Sequence, residues 1–290
     1  MKLYVWRGET TNFGDELNTW LMPRVFPDFF DEDEADLFLG IGSVIFDIHP
    51  AGSRKIVFGS GYAGYTALPQ FDGSWRFHGV RGPRTARACG LGPEQITGDA
   101  AILMHNYRPV RTTAKGMTFM PHFHSADRGN WEQACALAGI RFIDPHAPVQ
   151  EVLDAIAASE TVIAEAMHGA IVADAFRIPW IPILPIHRDH RGKWHDWAEA
   201  LDIELEPHTL GPSSLAEAWV AGRGGRGHGG PLAKAKGLVG ALDQVFIRLA
   251  AKRLSQLAKA PPMLSTDAAL AKALNRLEAR AAEIRRDYPR

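Results

Sequence analysis

A histidine and an arginine at two similar positions carry the strongest chemical signal in this sequence. Between Ser159 and Pro185 the chain reads SETVIAEAMHGAIVADAFRIPWIPILP. An apolar β-branched run, Thr161 to Ala164, meets a short turn holding Glu165, Met167, His168 and Gly169, and a helix of small residues then runs to about Phe176. Pro179 ends that helix because proline lacks the amide donor and clashes with the preceding turn, and Trp180 to Leu184 reads as the next buried strand. His168 thus falls at a helix N-terminus above the carboxyl edge of a strand, where unpaired N–H groups and the helix dipole favour an anion. Arg81 repeats the arrangement. Trp75 to Val80 reads as a strand delivering Arg81-Gly82-Pro83-Arg84-Thr85 to a helix over Pro83 to Cys89, whose start Pro83 marks. A fixed cation and a titratable imidazole at such positions suit a phosphate or carboxylate substrate. The plainer reading of His168 is a cap or a core filler.

Other polar groups fall at strand ends too. Asn12-Phe13-Gly14-Asp15 follows the first strand, Leu3 to Trp6, and places Asn12 and Asp15 to hydrogen-bond sugar hydroxyls, or simply to cap the helix that follows. Leu37 to Ile41 and Lys55 to Phe58 read as strands ending in Gly40-Ile41-Gly42-Ser43 and Gly59-Ser60-Gly61-Tyr62, turns small enough for a backbone to approach a ligand closely. Neither is a G-x-G-x-x-G or Walker pattern, so neither NAD nor ATP is expected. There is no G-x-S-x-G elbow, and Asp15, Glu165 and Asp174 are not placed as a catalytic pair. His187, His190 and His195 sit in a polar, aromatic segment with Arg188, Arg191, Lys193, Trp194 and Trp197. Their spacing matches no zinc pattern, so the segment reads as a solvated or substrate-contacting loop and the protein as metal-independent. The glycine-rich stretch from Gly222 to Gly230, with Arg223 and Arg226, reads as a mobile connector.

The elements that must position these groups alternate strand with helix in both halves of a 290-residue chain that is 46% hydrophobic. That pattern predicts an α/β protein of two parallel-sheet domains facing across a cleft. His105 to Lys115 is a basic irregular linker, so the expected divisions are 1–110, 111–210 and a remainder, 211–290. In the second unit Phe119 to Ser125 runs from strand into loop, Trp131 to Ala138 is helical, Ile140 to Ile143 is a strand and Pro148 to Ala158 an amphipathic helix. Met263 to Tyr288 is helix-prone, with Leu270, Leu274, Leu277, Ala281, Ile284 and Tyr288 at intervals of three and four, and needs a partner face on its own domain or on a second subunit. The formal net charge of −1 gives no global reason to expect nucleic acid. Cys89 and Cys135 are too few and isolated for a disulfide framework and read as reduced packing thiols. With no apolar leader and no membrane-length run, the expected location is cytoplasmic.

Six motifs in order make the sequence resemble the polysaccharide pyruvyl transferases: Asn12-Phe13-Gly14-Asp15, Gly40-Ile41-Gly42-Ser43, Phe58-Gly59-Ser60-Gly61, Val80-Arg81-Gly82-Pro83-Arg84-Thr85, Gly98-Asp99-Ala100, and the block from Glu165 to Trp180 containing His168-Gly169. They cover roughly residues 1 to 185. The resemblance is nearest to the bacterial exopolysaccharide branch, which forms a ketal on a terminal sugar of a lipid-linked repeat unit. It implies two Rossmann-like domains facing across a cleft (GT-B-like) with an extra C-terminal helix, phosphoenolpyruvate as donor, no cofactor, and work at the inner face of the cytoplasmic membrane. By carry-over His168 is the general acid, and Arg81, Gly169 and Arg84 join it around the donor. Asn12, Asp15, Ser60, His122 and Glu165 are then the candidates for the sugar acceptor. The sequence departs from the family at two places. Ala166 stands where many members have an arginine, and Arg81-Gly82 replaces an arginine-aspartate pair, so donor charge must be balanced elsewhere, with Arg84, Arg188 or Arg191 the candidates. A glycosyltransferase of the same architecture using a nucleotide sugar, and a non-catalytic saccharide-binding protein, are the competing readings.

Overall fold

The computed structural model describes residues 1–109, 116–224 and 240–289. In chain order the elements are β1 (Lys2–Leu3), α1 (Phe13–Val25), β2 (Asp36–Leu39), β3 (Arg54–Ser60), β4 (Trp75–Val80), α2 (Pro83–Ala88), β5 (Met117–Met120), α3 (Phe123–Arg128) and α4 (Trp131–Ala138). They continue with β6 (Arg141–Phe142), α5 (Val149–Ala157), β7 (Thr161–Ala164), α6 (Met167–Ala175), β8 (Trp180–Pro182), α7 (Gly192–Ala200), α8 (Leu215–Gly222), α9 (Gly240–Leu257) and α10 (Asp267–Asp287). The chain folds into two compact units: residues 1–107, 192–204 and 265–290 form the first, and 108–191 with 205–264 the second.

The first unit is built on a parallel sheet in the order β1-β2-β3-β4. Parallel strands need both faces covered, which is why β2 and β3 carry consecutive apolar residues at Leu37 to Leu39 and Ile56 to Phe58. Leu37, Phe38, Leu39, Ile56, Val57 and Phe58 are all buried. Helix α10 covers part of this sheet. Its stripe of Leu270, Leu274, Leu277, Ala281 and Ile284 is buried, so the apolar face for which a second subunit was one expectation is covered by its own chain. Asn106 donates to Glu278 at 2.7 Å, and Arg285 donates to the Val25 carbonyl at 2.6 Å, fixing the helix at two points.

The second unit repeats the plan with a parallel sheet ordered β6-β5-β7-β8. Its core joins Phe119, Ile163 and Ile181 from the strands to Trp131 of α4 and Ile247, Leu254 and Leu257 of α9. Both cysteines pack in apolar surroundings, and burial pushes each thiol up to about 12, far from a reactive thiolate.

Two predicted loops are helices instead. Phe123 to Ser125 opens α3, with His122 as its N-cap, the ring Nδ1 accepting from the His124 amide at 3.3 Å. The polar segment after Pro185 becomes a 3-10 turn, Arg188–His190, followed by α7, in which Trp194 and Trp197 are buried. Its charges mask a helical period: Trp194, Trp197, Ala198 and Leu201 all face inward. Arg226 and residues 110–115 of the expected linker lie outside the described residues, as does most of the glycine-rich stretch.

Glu217 of α8 is buried, accepting from the Trp131 indole N–H at 3.0 Å and from Ser213 N–H at 2.6 Å and its hydroxyl at 3.0 Å. Burial, then the nearby Glu165, pushes its carboxyl up to about 8. In the unfolded chain it titrates near 4.5, so the stability it contributes is complete below that pH and is lost as pH rises through about 8. We expect unfolding free energy to fall between pH 5 and 8 with a Glu217 contribution of at most about 1.4 kcal/mol per pH unit. In Glu217→Gln the slope should flatten while absolute stability at pH 6 drops, because an amide N–H cannot accept from both neighbours. Urea titrations at several pH values read this; an unchanged slope contradicts it.

Candidate active site

In the second unit β7 ends at Ala164 and α6 begins at Met167, placing His168 in the first turn of a nine-residue helix at the carboxyl edge of the sheet. Ala166, the N-cap, provides no side-chain cap. The imidazole is half-buried. Gly169 packs closely on β5: a Cβ there would lie 2.6 Å from Met120 Sδ and would have to displace that thioether.

Glu165, 2% exposed, is a brace. Its carboxylate accepts the His122 N–H at 3.0 Å, the Ser125 hydroxyl at 2.9 Å and the Ile186 N–H at 3.2 Å. It thereby ties the loop after β5 to the loop after β8. Burial pushes its carboxyl up to about 7 against these hydrogen bonds and the Arg128 charge. The two tied loops bring four histidines close. The His122 ring stacks on His190 with centroids 4.5 Å apart, His187 lies 4.6 Å from His190, and His124 lies 5.1 Å from His122. Ring nitrogens of His122, His124 and His190 fall within 4.8 Å of one another, the cluster of possible metal ligands found among the described residues. Beside them, Arg188 and Arg191 line a cavity of ≈ 170 Å³ with Leu184, Ile186, Thr209 and Leu210. The 3-10 turn explains the division of labour: residues three apart eclipse, so the His187/His190 pair and the Arg188/Arg191 pair fall on different faces.

The first unit holds the other predicted residues. Arg81, completely buried at the end of β4, donates from Nε to Asp196 of α7 at 2.9 Å and from Nη1 to the Ser43 hydroxyl at 2.8 Å. Its Nη2 is buried without a hydrogen-bond partner among the described residues. Asp196 also accepts the N–H groups of Arg84 at 2.9 Å and Thr85 at 3.0 Å, and the Thr85 hydroxyl at 2.6 Å. It therefore caps α2 from outside, while supplying the carboxylate that the sequence lacks at Gly82. A Cβ on Gly82 would lie 1.8 Å from the Asp196 carbonyl, and one on Gly61 2.1 Å from the Arg81 guanidinium carbon. These glycines make room for protein groups, which corrects the expectation that the turn containing Gly61 is open to a ligand.

Lys193, one turn before Asp196 and half-buried, has its ammonium pulled down to about 8, first by burial and then by the charge of Arg81, with Asp15 and Asp99 opposing. Two cations are thus held near one another, the arrangement that a polyanion relieves. Arg84 donates to Glu199 from Nε at 2.9 Å and Nη2 at 2.6 Å, an exposed pair. Asn12 caps α1, accepting the Asp15 N–H at 3.2 Å and donating to the Asp15 carboxylate at 2.5 Å. Ser60 is buried and donates to the Gly42 carbonyl at 3.1 Å. Within this unit the structure gathers Arg81, Asp196 and Lys193; sequence reasoning missed the aspartate and the lysine's role. The heptad-like spacing of Trp194, Trp197 and Leu201 was the available signal that both sit on a helix.

A family model described as polysaccharide pyruvyl transferase matches residues 30–187, more than half of the chain. The succinoglycan biosynthesis protein ExoV of Rhizobium meliloti (strain 1021) is 35% identical over 320 aligned residues, covering 99% of this chain and 100% of its own. No solved structure matches.

Proposed function

This chain belongs to the polysaccharide pyruvyl transferase family, and on that footing we propose that it transfers the pyruvyl group of phosphoenolpyruvate to two hydroxyls of one sugar in an exopolysaccharide repeat unit. The chemistry balances as two additions and one departure. Protonation of the donor's methylene carbon leaves an oxocarbenium-like centre; a sugar hydroxyl adds to it and its proton restores the general acid; a second hydroxyl then displaces phosphate, which departs with that hydroxyl's proton, so that a cyclic ketal and inorganic phosphate result. His168 gives the proton. The observation that carries this reading is its position: a half-buried imidazole in the first turn of α6, beside helix N–H groups that favour the donor's negative charge.

The charge expected from an arginine at Ala166 is supplied, on this reading, by Arg188 and Arg191 around their cavity, and by Arg81 with Lys193 in the first unit. Arg81 keeps one buried donor nitrogen for the ligand, and Asp196 holds its plane. The GT-B-like architecture implied by the resemblance belongs to this proposal, as does a lipid-linked acceptor met at the inner face of the cytoplasmic membrane. Among the described residues no helix is long and apolar enough to cross a membrane.

Incubating the protein with phosphoenolpyruvate and a panel of glycosides should release phosphate and give a product heavier by one pyruvate ketal. Arg188→Gln and Arg191→Gln should raise the donor KM about 10-fold each, the loss of one charge-assisted contact. Absence of phosphate release with every acceptor, together with transfer from a nucleotide sugar, would exclude the reading.

A further inference from the structure

We propose that His122, His124 and His190 form a binding site for one divalent first-row transition ion, with Zn2+ the best fit. The proposal does not rest on the pyruvyl reaction, and binding is read without turnover.

Three features support it. The first is proximity: each ring offers a nitrogen, and all three nitrogens lie within 4.8 Å of one another. Zn–N bonds of about 2.0–2.1 Å place tetrahedral ligand nitrogens about 3.4 Å apart, so rotation of the imidazoles about their side-chain torsions closes the site. The second is donor chemistry. The triad contains no carboxylate: Asp127 lies 3.0 Å from His146 and Asp189 lies 3.8 Å from His187. Neutral imidazole suits Zn2+, Cu2+, Ni2+ and Co2+, whereas Mg2+ and Ca2+ require oxygen.

The third feature is that the ligand-bearing backbone is fixed before any ion arrives. The two loops are far apart in sequence, yet Glu165 accepts N–H groups from both, at His122 and Ile186. The 3-10 turn fixes His190 through its own N–H to the His187 carbonyl at 3.2 Å. Ligand loops held by an outer carboxylate are the arrangement that metal sites need for a defined geometry. Coordination through His122 Nε2 requires the proton on Nδ1, so the 3.3 Å contact from the His124 amide to that nitrogen gives way on binding. Water is the candidate for the fourth position. An ion here would hold the turn whose other face carries Arg188 and Arg191.

The test uses full-length, tag-free protein stripped with a chelator and titrated with Co2+, which reports its coordination through visible d–d absorption, followed by Zn2+ competition. One equivalent should bind with a Kd below about 10 µM at pH 7.5, a free energy of about −7 kcal/mol. His124→Ala and His190→Ala should each weaken binding at least about 100-fold, beyond the loss expected from an outer-sphere partner alone; His105→Ala, in the other unit, should leave it unchanged. Binding indifferent to both triad substitutions, or no saturable binding below 1 mM, roughly −4 kcal/mol, overturns the proposal. Should either variant fail to fold, paramagnetically shifted imidazole N–H resonances in the wild-type Co2+ complex decide instead: three or more rings support the site and fewer than three overturn it.

Discussion

Asp196→Ala is expected to remove about 3–5 kcal/mol of folding stability, the cost of stripping one partner from a buried ion pair. The carboxylate is 1% exposed and its partner Arg81 fully buried, so solvent cannot take over when the aspartate is removed. Four donors would be stranded at once: the Arg81 Nε, the N–H groups of Arg84 and Thr85 that open α2, and the Thr85 hydroxyl. Asparagine should restore little, because its amide N–H₂ would point at one set of those donors and the arginine would keep its uncompensated charge. The double variant Arg81→Met, Asp196→Leu should be less damaged than Asp196→Ala, since a buried pair replaced by apolar groups no longer strands a charge. Breaking the exposed Arg84–Glu199 pair should change stability by less than about 1 kcal/mol. Urea unfolding followed by far-ultraviolet circular dichroism measures all of these. A loss below about 1 kcal/mol for Asp196→Ala would mean that the pair is not a keystone of the first unit.

His168→Gln is expected to lower kcat for phosphate release by about 10²–10⁴-fold, the range for a positioned general acid. The ring is half-buried and sits where α6 begins, so the fold should survive and the melting temperature should move little. A proton donor acts in the transition state, so the donor KM should change far less than kcat. An effect confined to KM would make His168 a binding group, and a kcat within about threefold of wild type would remove it from the chemistry.

Local features of the sequence reach some of this architecture and stop short of the rest for identifiable reasons. The apolar runs at Thr161 to Ala164 and Trp75 to Val80, with the proline starts and stops beside them, place strands and helices by short-range rules, and His168 and Arg81 fall at the edges of the sheets accordingly. Their neighbours across the unit follow no such rule. Asp196 meets Arg81 at a separation of 115 residues, a contact set by packing of α7 rather than by any motif. The histidine triad joins two loops that no single spacing pattern could link, which is why the three histidines of the segment after Pro185, taken alone, gave no metal signal. Glycines illustrate the same limit: a missing side chain shows that something comes close, yet only the fold identifies it, as the Arg81 guanidinium at Gly61 and α7 at Gly82. Charge misled in the segment containing Lys193, where polar residues hid two buried tryptophans.

The first unit is assembled from three separated lengths of chain, with residues 192–204 and 265–290 joining 1–107. During synthesis this sets an order of events. When the ribosome has finished β4, Arg81 has no counter-ion, and roughly 115 further residues must emerge before Asp196 can neutralise it; at about 5–20 residues per second that is a wait of roughly 6–23 s. The sheet must wait longer still for α10 to cover it. The second unit needs nothing made after Leu264, so the later-begun half is the first whose sequence is complete. A chain ending at Leu264 and released from the ribosome should therefore carry a protease-resistant second unit and an incomplete, protease-sensitive first unit.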